Sequence, residues 1–392
     1  MTRSLRTFVF GLLVLSPLFA QAANEITSIN GKPGPGAANA DLVFVVGGDN
    51  RPTAKGAPYP RVLTAIFSEI RLIQPNFVVW SGDTIYGYDD TPAELKAEYA
   101  TFAKLLAPSG VPFFNAPGNH EIHGQKPCNT AEAEAQFKAQ YTNLYGSFDY
   151  AGVHFIGLNT EECGHTTPDG KAQVIDGAQL AWLKDDLEAH KNARAIFLFF
   201  HDEVTLAPND EDGANHPPLG NSAELKALFA QYPVKAVFQG HEHLFYSPEN
   251  ETMPRYFVAG GAGAPMYAPP EKGGFSHYIV VEMKGNDATY NVVEPGHLYT
   301  EDGASTGKLW LINSSDRSVP ARRIEASVPE SLGACADLVA ESHLTKWDGT
   351  PIPVPVAIAQ CTTSNGRRHL TLTSTARGRS SVPIEIHRRP NP

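Results

Sequence analysis

Six side chains with metal-binding chemistry stand in this sequence, each at the end of an apolar run: Asp49, Asp83, Asn119, His201, His241 and His243. The runs are VFVVGGDNRP (43–52), FVVWSGDTIYG (77–87), FFNAPGNHE (113–121), IFLFFH (196–201) and VFQGHEH (237–243). The donors are oxygens and imidazole nitrogens with no thiol among them, a set that suits two hard or borderline metal ions. Phosphate-ester hydrolysis is the chemistry such a pair of cations serves best. Taken singly, the motifs are weaker. A Gly-Asp after a strand is ordinarily a turn, Gly-Asn-His-Glu reads equally as a loop with a helix cap, and a lone strand-end histidine is ordinarily structural. His241 and His243 are stronger, because alternate residues of an extended segment point the same way. The recurrence of one arrangement five times carries the inference.

Each run has about the length of a buried strand. In a parallel α/β sheet the carboxyl ends of the strands share one edge, so residues far apart in sequence converge there. Helical patterns separate the runs. Residues 60–74 carry a stripe of Val62, Leu63, Ile66, Phe67, Ile70 and Ile73, the pattern of a helix with one buried face. Thr91-Pro92-Ala93-Glu94 forms a capping box with proline at the first helical position, opening a helix to about Leu106. Further helices are expected at 130–144, 178–190 and 222–231, and strands at 153–158, 195–200, 236–239, 256–259, 278–282 and 288–293. The last three strands follow without helices and are expected as antiparallel additions. The alternation gives a layered α/β sandwich.

The five motifs together resemble the calcineurin-like metallophosphoesterase superfamily, whose pattern is Asp, Gly-Asp, Gly-Asn-His-Asp/Glu, a lone His and Gly-His-x-His. The resemblance covers roughly residues 41–295 and implies an αββα sandwich with mixed sheets. It implies that Asp83 bridges two metals, that Asn119, His201 and His241 complete one site, and that Asp49 and His243 hold the other. His120 would stand beside the phosphate rather than on a metal, protonating the leaving oxygen or steadying its charge. Many members carry His two residues after the first Asp, where this chain has Arg51. Gly-Asp-Thr-Ile-Tyr (82–86) is similar to the Gly-Asp-x-x-Tyr of the purple acid phosphatase branch, whose Tyr binds Fe(III). Tyr86 is therefore either a metal ligand or an aromatic packing over the loop. That branch usually has Gly where Arg51 stands, and Arg51 is expected to reach a phosphate oxygen with its guanidinium fork. The implied cofactor is a pair of divalent or mixed-valence ions of Fe, Mn or Zn, and the implied nucleophile a hydroxide bridging them. Glu121, Asp202 and Glu242 adjoin the ligands and are read as solvent-exposed, with orientation of an imidazole N–H as the alternative. The resulting expectation is an exported phosphomonoesterase. A phosphodiesterase or nucleotidase with the same site, and a non-catalytic binding protein, are the alternatives.

Residues 1–22 read as a cleavable signal peptide: Arg3 and Arg6, an apolar stretch over 8–18, then Ala20-Gln21-Ala22. The stretch is too short to span a bilayer, so a periplasmic or secreted protein without a membrane anchor is expected. Residues 23–40 form a flexible lead-in, 41–298 the catalytic domain and 299–392 a small β-rich module. In that module strands are expected at 309–312, 354–358, 369–373 and 382–386, with Pro351, Pro353 and Pro355 marking an edge. The four cysteines fit an oxidising compartment, with Cys128–Cys163 and Cys335–Cys361 the natural local pairs among three possible connectivities. The formal charge of −11 argues against nucleic acid as a partner; it also repels phosphates at long range, so for the expected small phosphorylated substrate the metals must supply the local attraction.

Overall fold

Strands rich in Val, Ile and Phe with no polar face must be covered on both sides, and this requirement sets the architecture. The computed structural model describes residues 24–88, 91–123, 130–207, 217–248, 253–303, 306–346 and 348–390. The expected signal peptide and Cys128 lie outside the described residues. In chain order the first half holds β1 (Leu42–Gly47), α1 (Arg61–Ile73), β2 (Phe77–Trp80), α2 (Pro92–Leu106), β3 (Phe113–Asn115), α3 (Asn119–Ile122) and α4 (Thr130–Tyr141). There follow β4 (Gly146–Tyr150), β5 (Val153–Gly157), α5 (Gly177–Ala189), β6 (Ala195–Phe199), α6 (Ser222–Phe229) and β7 (Val234–Gln239). Then come β8 (Phe245–Tyr246), β9 (Arg255–Ala259), β10 (Tyr278–Lys284) and β11 (Asp287–Val293).

These strands form two sheets, ordered β11-β10-β1-β2-β3 and β4-β5-β6-β7-β9-β8. Both are mixed: β1, β2 and β3 run parallel, as do β5, β6, β7 and β9, with antiparallel strands at the margins. The sheets face each other across an aromatic core of Phe44, Phe77, Phe114, Phe155, Phe197 and Phe238. Helices α1, α2 and α4 cover the outer face of the first sheet, and α5 and α6 that of the second. The layering is αββα. The Thr91 capping box is present as expected: Thr91 Oγ1 accepts from Glu94 N, and Glu94 accepts from Thr91 N at 2.8 Å.

Two expectations fail. The five motifs do not share the edge of one parallel sheet; three end strands of the first sheet and two end strands of the second. Strand β9 is parallel to β7 rather than an antiparallel addition. The chain crosses back through the segment carrying His241 and His243, and the two-residue β8 caps the edge beyond β9.

The C-terminal part holds β12 (Leu298–Asp302), β13 (Lys308–Asn313), β14 (Val319–Pro329), β15 (Leu338–Ser342), β16 (Ala357–Ser364), β17 (Arg367–Ala376) and β18 (Ser380–Arg388). They form a four-stranded and a three-stranded sheet, ordered β12-β13-β18-β15 and β14-β17-β16. Their apolar residues are continuous with the core around α1, and Glu69 of α1 accepts from Tyr278 Oη at 2.7 Å, Gly296 N at 2.7 Å and Leu298 N at 3.0 Å. The proline segment is not itself a strand; β16 begins at Ala357 and forms the edge. Cys335 and Cys361 are joined as expected, and Cys163 is disulfide-bonded. Among the described residues no helix is long and apolar enough to cross a membrane.

Candidate metal centre

The loops after β1, β2 and β7 reverse direction sharply. Asp49, Asp83 and His241 stand there with φ of 62°, 56° and 66°, a left-handed backbone that costs an L-residue about 1–2 kcal/mol. Three strained positions at three expected ligands mark a site whose geometry outweighs local preference. The loops are laced together: Asp49 N donates to Gly82 O and Asn50 N to Asp83 O, both at 3.1 Å. Two glycines let them close. A Cβ at Gly118 would stand 2.3 Å from Asp83 Oδ1, and one at Gly240 would stand 2.5 Å from Asp49 Oδ2.

The six donors converge. His201 Nε2 lies 2.9 Å from Asn119 Oδ1, 3.1 Å from His241 Nδ1 and 3.4 Å from Asp83 Oδ1. His241 Nδ1 is 3.3 Å from Asn119 Oδ1. Donors on one ion at about 2.1 Å sit roughly 3 Å from their neighbours, the spacing seen here. On the other side of Asp83, His243 Nε2 lies 3.5 Å from Asp49 Oδ1, and the ligand atoms of Asp49, Asp83 and His243 all fall within 4.8 Å of one another. The residues that the sequence placed at strand ends are thus brought to one point.

Proton positions follow from the carbonyls behind the rings. His201 Nδ1 faces Ser81 O at 2.7 Å and His243 Nδ1 faces Pro265 O at 2.6 Å. A carbonyl only accepts, so Nδ1 carries the proton and Nε2 turns a bare lone pair to the cluster when the ring is neutral. For His201 that lone pair would meet the Asn119 and Asp83 oxygens, an arrangement that calls for positive charge there, supplied by a proton on Nε2 or by a metal ion. The demand also appears in the titration. Burial lowers the His201 pKa, but Asp83, Asp49 and Asp202 outweigh it and push it up to about 9. Burial drives the Asp49 carboxyl well above its usual range, with His201 and Arg51 opposing and Asp83 adding to the rise. Burial would raise Asp83 too, yet His120, His201, Arg51 and His243 hold it low. Burial and Arg51 hold His243 down at about 3. The donor set therefore fits cations.

Residues 56–245 match the family model described as calcineurin-like phosphoesterase. This region belongs to that family. Asp49 and Arg51 lie just before the matched residues. Purple acid phosphatase 23 of Arabidopsis thaliana is 31% identical over 156 residues, 35% of this chain and 29% of that relative. Purple acid phosphatase 18 of the same plant is 26% identical over 245 residues, 59% of this chain and 53% of that relative. The chain thus spans from under a third to about half the length of these relatives. A crystal structure of a dimetal phosphatase from Danio rerio, 14% identical, overlaps 65% of this chain and 99% of its own at a TM-score of 0.45.

Around the candidate centre the structure adds what the sequence did not single out. Tyr88 accepts from Asn119 Nδ2, which turns Oδ1 toward the histidines, and its ring stacks on His120 at 3.9 Å. Tyr267 stacks on His243 at 4.0 Å and accepts a hydrogen bond from Arg51. Only the tyrosine at 86, through its motif, carried a readable signal. Its ring packs 5.9 Å from His120 and 6.2 Å from Tyr88, and its carbonyl receives His120 Nδ1. His120 Nε2 then faces Asp83 Oδ2 at 3.9 Å, with burial holding its pKa down at about 4 and Asp83 opposing. Arg51 Nε lies 3.5 Å from the same oxygen.

Glu121, Asp202 and Glu242 are not exposed; they are 1%, 8% and 0% accessible. Glu121 is the clamp of the ligand loops, its Oε2 accepting from Asp83 N and Gly118 N at 2.9 Å and its Oε1 from Thr84 N and Thr84 Oγ1 at 2.6 Å. Asp202 backs His241 at 3.7 Å and is hydrogen-bonded to the buried Glu161. Glu242 donates its N–H to Glu203 Oε1 at 2.9 Å. Buried acids so close to the histidines are tied into the loops that carry the ligands.

Proposed function

We propose that this chain is an exported binuclear-metal phosphoesterase acting on phosphate monoesters. The observation that carries the reading is the convergence of His201 and His241 on Asn119 and Asp83 and of His243 on Asp49, with the His201 and His243 rings fixed from behind by backbone carbonyls. Asp49, Asp83, Asn119, His201, His241 and His243 would hold two ions of Fe, Mn or Zn. Bound there, the ions would supply an activated water and neutralise phosphoryl oxygens. The chain's own residues do the rest. Asp83 turns Oδ1 to the His201 side and Oδ2 to the Arg51 side, so one carboxylate serves both halves. Arg51 offers its guanidinium to a phosphate oxygen. His120, oriented by the Tyr86 carbonyl and the Tyr88 ring, holds Nε2 where a leaving oxygen would receive or share a proton. Monoester preference and export are supported by the relatives' names as acid phosphatases, the amino-terminal signal pattern and the disulfides.

The test is side-by-side hydrolysis of a chromogenic phosphomonoester and its diester by the mature, metal-reconstituted protein. A monoester preference is expected. Preferred diester turnover would move the substrate class, and no turnover of either with metal bound would favour a binding protein.

A further inference from the structure

The two halves of the centre are unequal. Asn119, His201, His241 and Asp83 Oδ1 surround one point with four donors. The other half has Asp49, His243 and a carboxylate oxygen of Asp83, and a fixed positive charge already stands beside it. Arg51 Nε is 3.5 Å from Asp83 Oδ2, and its charge bears on Asp49, Asp83 and His243 alike. That nitrogen is buried without a hydrogen-bond partner at bonding distance, while the guanidinium donates to Tyr267 and, through a long 3.4 Å bond from Nη1, to the Pro52 carbonyl. A loosely held guanidinium can be drawn off by a better partner, and a tetrahedral oxyanion is one. Resting on the two-metal reading above, we infer that Arg51 keeps the Asp49–Asp83–His243 subsite weak for metal until a phosphate group engages the guanidinium, so that the second cation and phosphate bind cooperatively. The physical cause is simple. Arg51 and an incoming cation compete for the Asp83 carboxylate and repel each other, and phosphate relieves both. Linkage then makes the effect mutual: phosphate tightens the second metal by the factor by which that metal tightens phosphate.

The experiment is calorimetric titration of metal-stripped protein with zinc, with and without inorganic phosphate, and elemental analysis after dialysis. Wild type should take one zinc tightly and a second at least ~30-fold more weakly, and phosphate should tighten the second by about tenfold or more, within the range of ordinary couplings. Arg51→Met should tighten the second zinc about tenfold without phosphate and shrink the phosphate effect. Arg51→Lys, keeping the charge, should leave the second site weak. Should Arg51→Met fail to fold, His243→Ala supplies the check by losing the weak zinc alone. Two equal sites in wild type, or a gap untouched by Arg51→Met, would overturn the inference while leaving the two-metal reading intact. Failure to bind zinc at all would overturn both.

Discussion

Replacing Glu121 with Gln tests whether a buried acid sets the ligand loops. The carboxylate accepts four hydrogen bonds, three of them from backbone N–H groups of Asp83, Thr84 and Gly118. Gln keeps the shape but must present an NH₂ on one side. Facing Asp83 N and Gly118 N, it would strand two donors. Facing Thr84, it strands one, because the Thr84 hydroxyl can rotate and accept. The second orientation wins. One buried N–H without an acceptor costs about 1–3 kcal/mol, and two bonds weakened from charged to neutral acceptors cost about 0.5–1 kcal/mol each. Relief of carboxylate burial, which raises the Glu121 pKa, offsets part of this. A net loss of about 2–4 kcal/mol is expected in urea unfolding of the metal-free protein. Because Glu121 holds the backbone of Asp83, zinc affinity should also fall about 10–100-fold. A Gln variant within about 0.5 kcal/mol of wild type, with unchanged zinc affinity, would refute the clamp.

Asn119→Ala and His241→Ala should each abolish phosphomonoester turnover while urea midpoints stay close to wild type; preserved turnover in either would remove it from the site. Tyr88→Phe frees the Asn119 amide to turn, so kcat should drop about tenfold with stability little changed, and an unchanged kcat would make Tyr88 mere packing. In iron-reconstituted protein, Tyr86→Phe is expected to leave the visible spectrum unaltered, since the Tyr86 ring packs on Tyr88 and His120; loss of a visible band would put the phenolate on iron. A pH effect arises far from the centre. Burial lowers the His154 pKa, but hydrogen bonds to Asp149 and Asp186, both 2.8 Å long, outweigh it and leave it raised. That contribution is fully present below the unfolded pKa of about 6.5 and disappears as pH rises through the higher folded value. The stability difference between wild type and His154→Gln should therefore shrink from pH 6 to pH 9, and a constant gap would refute the linkage.

What the sequence disclosed was whatever local patterning enforces. The α1 stripe, the Thr91 box and the strand-end ligands were readable because helix period, cap chemistry and strand length are local properties. What it hid depends on partners brought in from elsewhere. Glu121, Asp202 and Glu242 were read as exposed because charged residues are seldom buried unless paired. Their partners are backbone N–H groups and other acids up to 41 positions away on different loops, as for Asp202 and Glu161. The split into two sheets was equally invisible, since a buried parallel strand looks the same in either. Strand β14 escaped because Pro320, Arg322 and Arg323 break its apolar alternation, although Val319, Ala321, Ile324 and Val328 are buried. Arg51 shows the same limit at the centre itself. Its position marked a missing imidazole, yet only the structure places its charge beside the carboxylate that a second cation would use. A residue that reads as a lost ligand can instead set the order in which the site fills.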